Sequence, residues 1–172
     1  FYKDEWAGLG EGLGNFLSYG DYPDRAGNHF LPAGVILNRD LSQVHPVDHQ
    51  KIAEYVARSW YQYAEGDQAA KHPWQGETSP NYTGPKPPYE YLDTDGKYSW
   101  LKAPRYDDKA MEVGPLARML VAYAAGHKRV KELVDSVLQQ LGVGPEALFS
   151  TLGRTAARGI ETLVIAEQLL PW

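Results

Sequence analysis

Apolar residues in the second half of the chain recur at helical spacing. Leu116, Ala117, Leu120 and Ala124 form one stripe, opened by Pro115, which a first helical turn tolerates, and closed near Gly126. Val130, Leu133, Val134, Val137, Leu138 and Leu141 form a second, in clean register before Gly142. A third runs from Pro145 through Leu148, Phe149, Leu152, Ala156, Leu163 and Val164 towards Leu170. Gly153 and Gly159 lie inside this third stripe. Each costs about 1 kcal/mol relative to Ala in a helix interior, and small residues there let another helix approach closely.

The first half has a different rhythm. Asn15 to Gly20 reads as a short strand, and Phe30-Leu31 with Val35-Ile36-Leu37, joined across Pro32-Ala33-Gly34, predicts a hairpin. Asp48 can cap a helix that places Ile52, Tyr55, Val56, Trp60 and Tyr63 on one face. From Gly66 to Gly96 the chain is crowded with Pro, Gly, Asn and Asp, yet it carries too many Trp and Tyr for disorder. This is a long loop that packs on a neighbouring surface. Tyr98 to Pro104 alternates as a strand does. The predicted fold class is α+β and mainly helical, with strands and hairpins in the first half and three helices in the second. No linker divides residues 1–172, which read as a single unit.

Composition excludes more than it selects. The 172 residues are 43% hydrophobic and 23% charged, which suits an ordinary globular unit. A net charge of -5 with scattered Lys and Arg argues against a nucleic-acid partner. No run approaches the roughly 18 to 20 apolar residues of a membrane-spanning helix, and no signal peptide opens the chain. The start at Phe1 and the end at Pro171-Trp172, just after a helical run, point to a piece of a longer polypeptide. Cysteine is absent, which rules out disulfides, thiolate-bound metal and a thiol nucleophile within these residues.

Candidate chemistry is sparse. Gly8, Gly10, Gly12 and Gly14 alternate like a phosphate-binding loop, but no preceding strand and following helix frame them, so a flexible or closely packed loop is the better reading. His45-Pro46-Val47-Asp48-His49 offers two imidazoles and a carboxylate. Pro46 holds His45 extended and outside any helix, which favours capping and surface roles over a metal site. His72, before Pro73-Trp74, reads as a loop histidine bonded to a backbone group. No serine sits in a nucleophile elbow.

The stretch from Lys102 to Arg118 carries a stronger signal. Its core, Met111-Glu112-Val113-Gly114-Pro115-Leu116-Ala117-Arg118, preceded by Tyr98-Ser99-Trp100 and Lys102-Ala103-Pro104-Arg105, resembles an internal signature of nickel–iron hydrogenase large subunits. Asn15 to Gly20, Leu31 to Ile36, Ser59-Trp60-Tyr61, His72-Pro73-Trp74 with Gly76 and Thr78, and Ser150 to Arg154 resemble further segments of that family in the same order. Asp107-Asp108 and Arg39 depart from it, at positions where a turn glycine is common.

The resemblance implies an internal part of the large-subunit fold and reversible cleavage of dihydrogen into protons and electrons. It implies a nickel–iron centre with cyanide and carbon monoxide ligands, held by four cysteines in two C-x-x-C motifs that this chain lacks. It also implies an iron–sulfur small subunit as partner, and a periplasmic, membrane-associated uptake enzyme. The family's basic residue over the iron lies in a Pro-Arg-Gly segment, so Pro104-Arg105 does not inherit that role. The same resemblance places Glu112 in the outer shell of a magnesium site, where it would bond metal-bound water. The alternative is that Glu112 neutralises the N-terminus of the helix beginning near Gly114, worth about 0.3 to 1 kcal/mol. Lys102, Arg105 and Arg118 would pair with buried carboxylates elsewhere in the subunit or stand as surface charges. The loop from Gly66 to Tyr98 would offer a packing or partner surface. A non-catalytic relative, the quinone-site subunit of respiratory complex I, shares the ancestral fold and is the competing reading. By either route, the chain alone is expected to bind no nickel and turn over no hydrogen.

Overall fold

The computed structural model describes residues 3–86 and 90–172, so the stretch 87–89 of the predicted long loop lies outside the described residues. The chain divides into two compact units, Phe1–Val47 with Met111–Trp172, and Asp48–Ala110. Among the described residues helix accounts for 32% and strand for 21%, a mixed α and β composition in which the expected helical majority is not seen.

The first unit begins with a single helical turn, α1 (Lys3–Trp6), followed by strands β1 (Phe16–Pro23) and β2 (His29–Ile36). The two strands pair antiparallel, with Phe16 opposite Ile36 and Asp21 opposite Leu31. The predicted hairpin across Pro32-Ala33-Gly34 is thus replaced by one continuous strand, and the turn lies at 24–28. That turn has its own chemistry. The Asp24 carboxylate accepts from the Asn28 side-chain amide at 3.0 Å, and from the backbone N–H of Asn28 at 2.9 Å and of Ala26 at 2.8 Å, bonds that hold its pKa below the ordinary aspartate value. Pro32 is tolerated because a two-stranded ladder leaves outward N–H positions unpaired, and the Ser18 hydroxyl donates to its carbonyl at 2.9 Å.

The three helices form as the apolar stripes predict, being α2 (Pro115–Ala124), α3 (Lys128–Leu141) and α4 (Thr151–Gln168). Left-handed Gly142, with φ at 62°, ends α3, and the Val143 N–H returns to the Leu138 carbonyl at 3.1 Å. The third stripe is interrupted. Pro145–Phe149 is a 3-10 turn, Ser150 is extended, and only then does α4 begin. The buried Ser150 hydroxyl accepts from Gly153 N–H at 3.0 Å and donates to the Ala147 carbonyl at 2.6 Å, so one side chain closes the turn and caps the helix. Phe16, Leu31, Ile36, Leu120, Val130, Phe149 and Val164 share the core, where the Phe16 and Phe149 rings lie 5.6 Å apart.

The second unit overturns one prediction. Asp48 does act as a cap, accepting from Gln50 N–H at 3.1 Å, but over a 3-10 turn, His49–Lys51. No helix follows it. Ile52–Tyr55 is strand β3, followed by the short strands β4 (Tyr61–Gln62), β5 (Ala70–Lys71) and β6 (Ser79–Pro80) and by β7 (Ala103–Tyr106). β3 is central in the order β5-β3-β7, and β4 pairs with β6. The helix fails because the backbone finds partners far along the chain. Lys97 donates to the carbonyls of Val56, Ser59 and Tyr61 at 3.0, 2.7 and 2.9 Å, bonds that a helical ladder would otherwise supply. The strand predicted over 98–104 begins later, at Ala103. The predicted loop carries β5 and β6, and its Tyr82 packs with Trp60 at 4.8 Å and Trp100 at 5.7 Å. Arg39 and Asp107-Asp108 sit in left-handed turns, with φ at 61°, 51° and 60°.

Candidate functional site

Glu112 is held by its backbone before its side chain does anything. Its N–H donates to the Asn15 carbonyl at 2.8 Å, and its carbonyl accepts from Leu17 N–H at 2.9 Å, so it runs as a parallel bridge beside Phe16 at the start of β1. Its carboxylate meets Arg154 of α4 in a two-point contact. Nε donates to Oε1 and Nη2 to Oε2, both at 2.7 Å. The two side chains retain 19% and 24% exposure. This bond raises the Arg154 pKa above its ordinary value. Glu112 is committed to α4, while the first turn of α2 contains no acidic residue and Gly114 supplies no side-chain cap. The neutralising role at α2 therefore does not describe what the carboxylate touches.

The glycine-rich segment is laid across this pair. Arg154 Nη1 donates to the Gly10 carbonyl, and Thr151 N–H donates to Leu9 O at 2.9 Å. Arg39 holds the other end. Its N–H donates to Gly14 O at 2.8 Å and its Nη1 to Glu11 Oε2 at 2.8 Å, with the guanidinium 5.8 Å from the Phe149 ring centre. Gly10, Gly12 and Gly14 have φ of 75°, 69° and 78°. A Cβ on Gly10 would stand 2.5 Å from Thr151 Oγ1, and one on Gly12 2.6 Å from Arg154 Nη2. The alternation therefore marks a closely packed strap rather than a phosphate loop. Reading the sequence missed the two arginines that bind it. The available signal was Arg39 standing where a turn glycine is common.

The other predicted residues are distributed. Arg118 of α2 makes a two-point contact with Glu161 of α4 at 2.5 and 3.1 Å and lies 3.4 Å from Asp21 of β1. The Glu161 bond raises the Arg118 pKa. Lys102 pairs with Glu54 at 3.0 Å. Both carboxylate partners belong to this chain. Arg105 donates to the Pro104 carbonyl at 2.9 Å and has no carboxylate partner among the described residues. His45 exchanges backbone bonds with Val35, both at 2.9 Å, and joins no metal-binding cluster among the described residues. His72 is buried and its Nδ1 accepts from Trp74 N–H at 3.1 Å, the backbone role expected of it. The His49 ring lies edge-on to His72 at 6.0 Å and tilted against Trp74 at 5.5 Å.

These residues do not fit a nickel–iron pair. The chain has no cysteine, and among the described residues no three His, Asp or Glu side chains gather as a metal site. Glu112 fits an outer-shell role better than direct ligation. A guanidinium against both oxygens repels a dication, yet each oxygen keeps a lone pair for a metal-bound water.

The model of the nickel-dependent hydrogenase family matches residues 1–172. The uptake hydrogenase large subunit of Bradyrhizobium diazoefficiens is 46% identical over 183 residues, covering 98% of this chain and 30% of that protein. The quinone-reactive Ni/Fe-hydrogenase large chain of Wolinella succinogenes is 36% identical over 89% of this chain and 28% of its own length. Among solved structures, the Ni-Fe-Se hydrogenase of Desulfovibrio vulgaris Hildenborough superposes with a TM-score of 0.72 at 33% identity, over 98% of this chain and 33% of that one. The chain thus spans about a third or less of the relatives it matches. With the strap, the paired arginines and the signature around Glu112 all falling inside the matched region, the chain belongs to the nickel-dependent hydrogenase family.

Proposed function

We propose that these residues form an internal part of the large subunit of a nickel–iron hydrogenase, which oxidises dihydrogen reversibly and passes the electrons to an iron–sulfur small subunit. The observation that carries this reading is the family match along the whole chain, joined by a relative named as an uptake hydrogenase large subunit at 46% identity. Nothing observed favours the quinone-site subunit of complex I. The sulfur ligands of the metal pair, with its cyanide and carbon monoxide, would come from polypeptide outside these residues, because the chain has no cysteine. Reading the complete gene tests this at once. Two C-x-x-C motifs, one on each side of the region encoding Phe1 to Trp172, are expected, and absence of either one sinks the proposal.

The names of the uptake and quinone-reactive relatives support a periplasmic, membrane-associated setting, with electrons delivered towards the membrane. Among the described residues no helix is long and apolar enough to cross a membrane. The exposed aromatics of the second unit, Trp74 and Tyr91, give the segment between Gly66 and Tyr98 the character of a contact surface.

Glu112 would accept a hydrogen bond from water on a magnesium ion in the complete subunit. Replacing it with Gln keeps the shape and removes the charge, and outer-shell changes of this kind cost about tenfold or more in metal affinity. Magnesium content of the purified complete subunit, followed through dialysis, should fall in Glu112→Gln. Unchanged retention would leave Glu112 as a purely structural partner of Arg154.

A further inference from the structure

The second unit contains a cleft of about 520 Å³, walled by the chain leaving β3 and the chain entering β7. Arg58, Lys102 and Arg105 line it against one carboxylate, Asp108, a local positive excess in a chain of net charge -5. Two of these four charges are already engaged. Lys102 is neutralised by Glu54 at 3.0 Å, and Asp108 accepts the Tyr55 hydroxyl at 2.5 Å. Arg58 and Arg105 are not matched to any carboxylate among the described residues. Their hydrogen bonds there go to the backbone carbonyls of Gly96 at 3.4 Å and Pro104 at 2.9 Å. Each guanidinium carries five N–H donors, so both have capacity to spare.

Ser59, in the same wall, is an independent observation. It is 1% exposed, and its Oγ is the one buried side-chain polar atom without a hydrogen-bond partner among the described residues. Buried hydroxyls are normally paired, because an unpaired one loses its hydration for nothing. The backbone around it is fixed. Trp60 N–H donates to Ser99 O at 2.8 Å and Tyr98 N–H to Arg58 O at 3.1 Å, holding the two walls together.

We propose that this cleft binds a small organic oxyanion, carrying a phosphate or a carboxylate, clamped by Arg58 and Arg105 with the Ser59 hydroxyl as a further donor. The size of the cleft suits a metabolite-sized molecule, and planar guanidinium donors match both oxyanions. The titration that tests this site reads oxyanion affinity and not hydrogen turnover, so its failure is distinguishable from failure of the activity proposed above.

Calorimetric titration of the purified protein at low salt, with inorganic phosphate in one arm and malonate in the other, tests it. Saturable binding at about millimolar strength or tighter is expected for at least one probe. The tighter probe assigns phosphate or carboxylate as the recognised group. Arg58→Gln and Arg105→Gln should each weaken binding about tenfold and Ser59→Ala about threefold, while Arg25→Gln, exposed in the first unit, changes nothing. If an arginine variant loses its folded circular-dichroism signal, the unmodified protein and Ser59→Ala decide. No saturable binding of either probe, or binding that none of the three cleft variants weakens, overturns the proposal.

Discussion

Arg118→Met is expected to destabilise the protein by about 3 kcal/mol, although the side chain it removes is a quarter exposed. The loss comes from the partner. Glu161 retains only 9% side-chain exposure, and without Arg118 its carboxylate is left buried with no compensating charge except whatever reaches it through solvent. The pair links α2 to α4, and Asp21 at 3.4 Å ties the same guanidinium to β1. Because the cost is that of an orphaned charge rather than of a lost attraction, removing both groups should be milder than removing one. Arg118→Met with Glu161→Met is expected within about 1 kcal/mol of the unmodified protein. Urea unfolding of the two variants separates the explanations. If the double variant is as unstable as the single one, packing of the arginine stem, not burial of the carboxylate, is what Arg118 contributes.

The second large effect concerns two glycines six positions apart in α4, for which opposite signs are expected. A Cβ on Gly153 would overlap the backbone carbonyl of Leu148 in the preceding 3-10 turn, and backbone cannot rotate aside as a side chain can. The turn would have to move, and with it the Ser150 cap that accepts from Gly153 N–H at 3.0 Å. Gly153→Ala should therefore cost about 2 to 3 kcal/mol. A Cβ on Gly159 meets nothing within 4 Å, so Gly159→Ala should gain about 0.5 to 1 kcal/mol from helix propensity alone. Thermal unfolding of both variants reads the contrast. A stabilised Gly153→Ala would show that the turn at Pro145–Phe149 is free to shift.

The same glycines show how much of this fold is legible in the sequence. Stripe periodicity located α2, α3 and the body of α4, because those helices bury one face and their apolar residues have little else to satisfy. It read Gly153 as a seat for another helix, whereas the neighbour is the chain's own 3-10 turn, created by an extended Ser150 that no stripe reveals. In the second unit the stripe from Ile52 to Tyr63 was misleading for a different reason. Apolar residues at those positions fit a strand followed by a tight loop equally well, and the group that decides, Lys97, lies 36 to 41 residues away. Local pattern carries no information about such a partner.

The site was legible in part. The signature singled out Glu112 and the order of the resembling segments named the family, but not the Arg154 contact, because residues 42 apart give no sign of meeting. The glycine alternation reads as a flexible or closely packed loop; the structure packs it, through arginines that the sequence does not reveal. Lys102 and Arg118 were expected to pair with buried carboxylates elsewhere in the subunit or to stand as surface charges, and the partners they find, Glu54 and Glu161, could not be named from the sequence.

The most direct test of the central claim uses deuterium. The complete gene product, purified anaerobically with its iron–sulfur partner, should convert deuterium gas in ordinary water to mixed and light hydrogen, and should contain nickel. Exchange and nickel lost together on removal of the flanking cysteines would fit the account. A complete, folded and partnered protein that contains no nickel and exchanges no deuterium would contradict it.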